Sequence, residues 1–180
     1  LLTVRLTFSA AEVLQKSAQI RQNLQAHFPL FATQKLAFYW AIHNEANLLP
    51  LVQIWQQQNA AFRALLPQVI AKNAPLMFRE FNAQCAMQTD RFGIQTPINS
   101  AILRPEVLLI PLVGFDKQGF RLGYGGGFYD RTISALAKTG QKPLCVGIAY
   151  DLSLVDSITP EAHDQKMDFI VTESGVFSPL

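Results

Sequence analysis

The run Ile110-Pro-Leu-Val-Gly-Phe-Asp-Lys-Gln-Gly-Phe-Arg-Leu-Gly-Tyr-Gly-Gly-Gly-Phe-Tyr-Asp-Arg131 constrains the fold of this chain more than any other stretch. It begins apolar, turns between Asp116 and Gly119, and places four glycines in the five positions from Gly123 to Gly127. Phe128 to Ile133 then has the pattern of a helix's first turns. Such a segment is costly to order, because glycine loses more backbone freedom on folding than any other residue. It is retained where backbone N–H groups must approach something closely, and a helix N-terminus just beyond it adds a partial positive charge. An anion, above all a phosphate, suits that arrangement. Neither common nucleotide fingerprint is present: Phe128 occupies the place of the third glycine of the dinucleotide motif, and no Gly-Lys-Ser/Thr follows. Spacing alone leaves a plain tight turn and a phosphate cradle equally open. Arg121, Tyr124, Tyr129, Asp130 and Arg131 favour the cradle, because a reversal of direction needs no such crowd of cationic, aromatic and acidic groups.

With 180 residues the chain suits one domain, 1–180, with a real core. Hydrophobic residues make up 49% and charged ones 16%, which excludes a disordered chain. A formal net charge of +2 is too small to point to nucleic acid or an anionic membrane. No apolar run reaches the length of a bilayer span, and no basic flank precedes a long apolar core at the start. Cys85 and Cys145 are far apart and form no framework of pairs, so a cytoplasmic setting is expected.

In chain order, Ser9 and Glu12 have the spacing of a capping box, with Phe8 and Val13 as a hydrophobic staple. Val13, Ser17, Ile20 and Leu24 continue one helical stripe. Lys35 to Trp40 reads as a strand, and Asn47 as the cap of a helix with Pro50 in its first turn and Leu51, Val52 and Trp55 inward. Phe62 to Leu66 and Leu76 to Phe81 read as strands, and Phe92 to Arg104 as loop. Val107–Pro111, Leu144–Ala149 and Phe169–Val171 read as strands, the first two buried on both faces, and a helix runs from Phe128 to about Lys138. This alternation predicts an α/β fold: a single three-layer, Rossmann-like domain whose mostly parallel sheet is flanked by helices. Ligands of such sheets bind beyond the carboxyl ends of the strands, where the glycine loop would lie.

Magnesium takes one or two carboxylates together with phosphate oxygens and water, so Asp130 and Asp168 are the pair to consider. On the residues alone the plainer reading stands ahead, with Asp130 at a solvated helix start and Asp168 on the surface. Glu161, His163 and Asp164 cluster upstream, but three histidines and no His-Glu-x-x-His give zinc no support. Ser100 and Ser134 lack a nucleophile-elbow context, and Cys145 sits in an apolar strand as packing. Glu45 can accept from a ligand's N–H donors and Trp40 can offer a flat wall to a ring, although on the residues alone a solvated loop carboxylate and a core tryptophan stand ahead.

Taken together, the Pro111–Arg131 run closely resembles the signature of the 5-formyltetrahydrofolate cyclo-ligases, also called methenyltetrahydrofolate synthetases. Ser9–Glu12, Tyr39–Glu45, Phe92-Gly93-Ile94, Glu161-Ala162-His163-Asp164 and Asp168 fall in that family's order, so the resemblance covers nearly the whole chain. It implies an ATP- and Mg2+-dependent closure of 5-formyltetrahydrofolate to 5,10-methenyltetrahydrofolate with release of ADP and phosphate, by a monomer. It further implies that Arg121, Leu122, Gly123, Tyr124, Gly125, Gly126, Gly127, Phe128 and Tyr129 form the ATP loop, with Arg121 and Tyr129 in catalysis. Tyr124 to Phe128 would also touch the folate together with Trp40 and Glu45, Glu45 facing the pterin, and Asp130 and Asp168 would match the magnesium ligands. The chemistry suits that inventory. Phosphorylation of the formyl oxygen makes an electrophile that the substrate's own second nitrogen attacks, so no protein nucleophile is needed.

Three positions depart from the family pattern. Its basic N-terminal positions fall before Leu1 when aligned on Ser9, Phe128 stands where a tyrosine is common, and Thr96 stands where a glutamate often precedes the proline. Two rival readings use the same loop: a non-catalytic nucleotide- or folate-binding module, and an enzyme of phosphosugars or CoA esters. Both predict binding without ATP turnover.

Overall fold

Ser9 begins the long N-terminal helix as its spacing requires: the Glu12 carboxylate accepts from the Ser9 amide at 2.8 Å, and Ser9 Oγ accepts from the Glu12 amide at 3.3 Å. The computed structural model describes residues 1–90 and 93–179. In chain order it contains α1 (Leu2–Leu6), α2 (Ala10–His27), β1 (Lys35–Ala37), α3 (Leu49–Gln58), β2 (Arg63–Gln68), β3 (Met77–Phe81), β4 (Met87–Thr89), β5 (Gln95–Pro97), β6 (Val107–Pro111), β7 (Gly114–Phe115), β8 (Arg121–Leu122), α4 (Phe128–Ala137), β9 (Leu144–Ile148), β10 (Phe169–Thr172) and β11 (Gly175–Phe177).

Seven of these strands form one sheet in the order β11-β10-β9-β6-β1-β2-β3. The five central strands are mutually parallel, and only the edges, β3 against β2 and β11 against β10, are antiparallel. The parallel strands are apolar at consecutive positions because both faces are covered, and successive side chains alternate between them. Leu36, Leu66, Leu109 and Val146 face one way and pack with Ile20 and Leu24 of α2 and Leu51, Val52 and Trp55 of α3. Ala37, Leu65, Leu108 and Cys145 face the other way, against Ile133 of α4. These are the three layers the sequence predicts.

The connections locate the site. From β1 the chain crosses by α3 to β2 on one side; from β6 it crosses by α4 to β9 on the other side and the opposite face. The winding direction therefore reverses between the neighbours β1 and β6, and the crevice beyond their carboxyl ends is where such sheets bind ligands.

Three local expectations change. The strand from Lys35 ends at Ala37 rather than Trp40; only the Phe38 amide still reaches the sheet, donating to Leu65 O at 3.0 Å, before the chain swings out over the crevice. Asn47 bonds the Leu49 amide at 3.0 Å, but α3 starts after Leu48, one residue later than an Asn47 cap implies. The stretch from Phe92 to Arg104 is not all loop: β5 pairs with β4 in a hairpin, too short to show a period of two and with Pro97 concealing it. Phe92 itself lies outside the described residues. The ribbon β7–β8 and the edge strand β11 are two- and three-residue elements held by pairing geometry, with no run of their own to announce them.

Candidate active site

Two loops converge over the carboxyl ends of β1 and β6. The first leaves β1 through Tyr39 and Trp40 and reverses at His43 and Asn44, both left-handed with φ of 50° and 58°. Asparagine tolerates that region, but two consecutive non-glycine residues there cost on the order of 1–2 kcal/mol each. The reversal returns Glu45 towards Ile42: the Glu45 amide donates to Ile42 O at 2.9 Å, and Glu45 Oε2 accepts from the Ile42 amide at 3.0 Å. Its other oxygen, Oε1, accepts from the Tyr124 hydroxyl at 2.7 Å. Glu45 is only 5% exposed. Burial pushes its carboxyl above the ordinary range, against the opposing pull of the Ile42 amide, the Tyr124 hydroxyl and the Arg5 guanidinium.

The second loop follows β6. Asp116 Oδ1 accepts from the amides of Gln118 and Phe120 at 3.0 and 2.9 Å, closing the turn between β7 and β8 and sending Gly123 back over the crevice. Gly125 and Gly127 then adopt φ of 79° and 60°, values an L side chain resists. At Gly123 and Gly125 a Cβ would meet nothing within 4 Å, so the glycines border open space. Among the described residues, no backbone amide from Gly123 to Asp130 donates to a backbone carbonyl. These are the free N–H groups of a cradle feeding into the N-terminus of α4, whose first turn leaves its amides unpaired by geometry. Arg131 braces the loop from behind: its Nη2 donates to Gly126 O at 2.6 Å, and its guanidinium lies 5.1 Å from the centroid of the Phe128 ring.

Between the loops lies a cavity of about 850 Å³, within the range of small-molecule sites. Trp40, Glu45 and every residue from Arg121 to Asp130 line it. The structure thus brings together both halves of the site named from sequence. Burial pushes the Tyr129 hydroxyl, another lining group, well above its ordinary pKa, so it stays protonated and able to donate.

Arg121 is not aimed at the cradle. Its Nη2 donates to Asp130 Oδ1 at 2.6 Å and its Nη1 to Gln165 O at 2.5 Å. The Gln165 amide donates to the same Asp130 oxygen at 3.0 Å, which leaves Oδ2 for another partner. Asp168, the expected partner of Asp130, is not among the residues that line the cavity. Residue 168 immediately precedes β10, where its Oδ2 accepts from the Cys145 amide at 2.7 Å and its Oδ1 lies 3.6 Å from Lys142, near the start of β9 and away from the cavity lining. Besides Glu45 and Asp130, the carboxylates Asp90, Glu161 and Asp164 line the cavity; Asp164 is adjacent to the Gln165 whose amide bonds Asp130, and its Oδ2 accepts from the Glu161 amide at 2.7 Å. Its place in the Glu161-Ala162-His163-Asp164 run was the signal available in the sequence. Among the described residues no three His, Cys, Asp or Glu side chains group as a metal cage. A pair of carboxylates completed by phosphate oxygens and water is instead the arrangement magnesium accepts.

Arg5 was not foreseen at all. It sits in α1, 3% exposed, and donates through Nε to His43 O at 3.0 Å, through Nη1 to Leu112 O at 3.2 Å, and through Nη2 to the Tyr124 hydroxyl. One arginine in a five-residue helix carries no periodic signal that could have marked it.

The chain matches the sequence model of the 5-formyltetrahydrofolate cyclo-ligase family over residues 1–173. It is 30% identical over 165 residues to the 5-formyltetrahydrofolate cyclo-ligase of Escherichia coli K12, covering 88% of each chain. Against the Mycoplasma pneumoniae protein of that name it is 30% identical over 175 residues, covering 96% of this chain and 94% of the other. It superposes on the solved Aquifex aeolicus 5,10-methenyltetrahydrofolate synthetase with a TM-score of 0.80 at 28% identity, over 98% of this chain and 88% of that one.

Proposed function

The chain belongs to the 5-formyltetrahydrofolate cyclo-ligase family, and from that premise we propose that it carries out its reaction in the cavity between the glycine loop and the loop after β1. The activity is that of the family: closure of 5-formyltetrahydrofolate to 5,10-methenyltetrahydrofolate, driven by ATP with release of ADP and phosphate, a step of one-carbon metabolism. The observation that carries the siting is the row of amides from Gly123 to Asp130 that donate to no backbone carbonyl, on residues that line one cavity together with Trp40 and Glu45.

In this reading the amides of Gly123 to Tyr129 and the positive end of α4 hold the triphosphate. The open space where Cβ atoms would stand at Gly123 and Gly125 is what lets phosphate oxygens reach the backbone. Trp40 and the ring of Phe128 border the reduced pterin, and Glu45, with two oxygens already fixed by Ile42 and Tyr124, accepts from pterin N–H groups through its remaining lone pairs. Tyr129, protonated at any working pH, donates towards charge developing on the transferred group. Arg121 acts through Asp130, fixing that carboxylate so that Oδ2 points away from the ion pair.

Asp130 and Asp164 are the residues that would hold magnesium, Asp164 through the oxygen that the Glu161 amide leaves open, in preference to the Asp168 that the resemblance implies. The ion would supply charge neutralisation between the phosphate oxygens. The rest of the chemistry is positioning, since the attacking nitrogen belongs to the substrate. Every group invoked comes from one chain, so the reading needs no second subunit. Its cytoplasmic setting rests on two unpaired thiols, Cys85 and Cys145.

The test is spectroscopic. ATP, Mg2+ and 5-formyltetrahydrofolate together should generate the near-ultraviolet absorbance of the methenyl product with matching release of ADP, and omission of any one should abolish it. Nucleotide binding without that absorbance would return the protein to a binding module.

A further inference from the structure

Arg5 is a fully charged group buried beside the cavity for which the proposed reaction has no use. Its nitrogens already donate to three separate segments: His43 O in the loop after β1, Leu112 O at the end of β6, and the Tyr124 hydroxyl in the glycine loop. Nη2 also lies 3.8 Å from Glu45 Oε1, and both side chains are 4% exposed. With Nε, Nη1 and Nη2 each donating to the protein, this guanidinium is committed to those three segments. The converse contacts tie the same knot, because the Asn44 side chain donates to Arg5 O at 3.2 Å and to Phe8 O at 3.1 Å. The two left-handed residues that deliver Glu45 to the cavity are therefore clasped by α1 from both directions.

We infer that Arg5 is a positioning residue for folate recognition: it holds the Glu45 carboxylate and the Tyr124 hydroxyl in one register, coupling the pterin-facing loop to the glycine loop. The inference rests on the proposed siting of the pterin against Glu45 and goes beyond it, since Arg5 touches neither ligand. The planar fork is what the role requires. One group donates to two carbonyls and a phenol at fixed angles while its charge stands 3.8 Å from the Glu45 carboxylate, which a lysine cannot do. Around Glu45 stand Arg5 from α1, His43 from its own loop, Tyr39 after β1, Tyr124 and Tyr129 from the glycine loop and α4, and Tyr150 after β9. Of these, Arg5 and His43 hold the Glu45 pKa down, while the Tyr124 hydroxyl does so only as a hydrogen-bond donor.

Steady-state kinetics of Arg5→Met, Arg5→Lys, Tyr124→Phe and Glu45→Gln across a pH series test this. Arg5→Met should raise KM for 5-formyltetrahydrofolate by about ten- to a hundredfold, the factor for one lost charge-assisted hydrogen bond, with kcat little changed. It should also move the acid limb of kcat/KM to higher pH. Arg5→Lys should keep the limb in place, because the charge remains, yet raise KM because the fork is gone. Tyr124→Phe should raise the folate KM and also move the limb to higher pH, because the hydroxyl's hydrogen bond is one of the contacts that hold the Glu45 carboxyl down. An Arg5→Met enzyme of lowered Tm but normal folate KM and normal pH profile would make Arg5 a purely structural residue and overturn the inference. If that variant proves insoluble, an unchanged folate KM in both Arg5→Lys and Tyr124→Phe overturns it equally. Glu45→Gln separates the premise: a normal folate KM there defeats the siting of the pterin, whereas a raised one beside a normal Arg5→Met defeats only the role of Arg5.

Discussion

Gly125 and Gly140 give the cradle an internal control. Both are left-handed, at φ of 79° and 82°, and at both a Cβ would meet no atom within 4 Å. Gly125 lines the cavity, while Gly140 lies in the turn between α4 and β9 outside the lining. Alanine at either position costs only the strain of placing Cβ near the following carbonyl, about 1–2 kcal/mol, with no steric clash to add. In a domain of this length that strain lowers Tm by about 2–4 °C for each kcal/mol. Against a typical stability of about 5–15 kcal/mol, either variant stays almost wholly folded at 25 °C. Any large loss of turnover must therefore be local. At Gly125 the added methyl occupies the space through which phosphate oxygens reach the amides, and displacing a reacting group by about 1 Å costs on the order of a hundredfold. The expected result is a matched pair of thermal shifts, with KM for ATP and kcat/KM impaired in Gly125→Ala alone, read by methenyl absorbance and by differential scanning calorimetry. Equal kinetics in the two variants would show that no triphosphate lies over these amides, and the siting would fall with that result.

The other predictions follow from the same geometry. Asp130→Asn should cost about 1–3 kcal/mol of stability by weakening its bond with Arg121, but should abolish most magnesium-dependent turnover; a titration of rate against Mg2+ separates the two effects. In that titration Asp164→Asn should raise the magnesium needed for half-maximal rate, whereas Asp168→Asn should leave it unchanged and lower Tm through the Cys145 amide. Glu45 binds a proton more readily folded than unfolded, because burial raises its pKa above 4.5. Its contribution to stability therefore falls as pH rises from 4.5 through the raised value, and Glu45→Gln should remove that slope from a plot of Tm against pH. Ser9→Ala should lower Tm by about 2–4 °C through loss of the capping box, with kcat/KM unaltered.

Elements long enough to display their period, or marked by residues with one local use, could be read from the sequence. The Ser9–Glu12 cap, the stripe of Ser17, Ile20 and Leu24, the apolar strands Val107–Pro111 and Leu144–Ile148, and the glycine run into α4 all declare themselves, because capping, helical spacing, two-faced burial and positive φ are properties of neighbouring residues. Glu45 and Trp40 were visible only as polar and aromatic residues after a strand; what raised them above a loop carboxylate and a core ring was a family resemblance rather than a local rule.

Tertiary structure alone decided which distant groups meet. Asp168 and Asp164 are four residues apart and chemically alike, yet Asp168 bonds the Cys145 amide and lies beside Lys142 while Asp164 bonds the Glu161 amide in the cavity lining, a choice made by where the chain enters β10. Arg5 is separated from Tyr124 by 119 positions, and no periodicity connects them. Its place follows from α1 closing over the carboxyl ends of β1 and β6, where a buried charge must find partners on whichever segments the sheet brings there. Local pattern fixes the elements and the phosphate loop because those energies act between near neighbours. The partners of a buried charge are fixed by the packing of segments far apart in the chain, which only the folded molecule specifies.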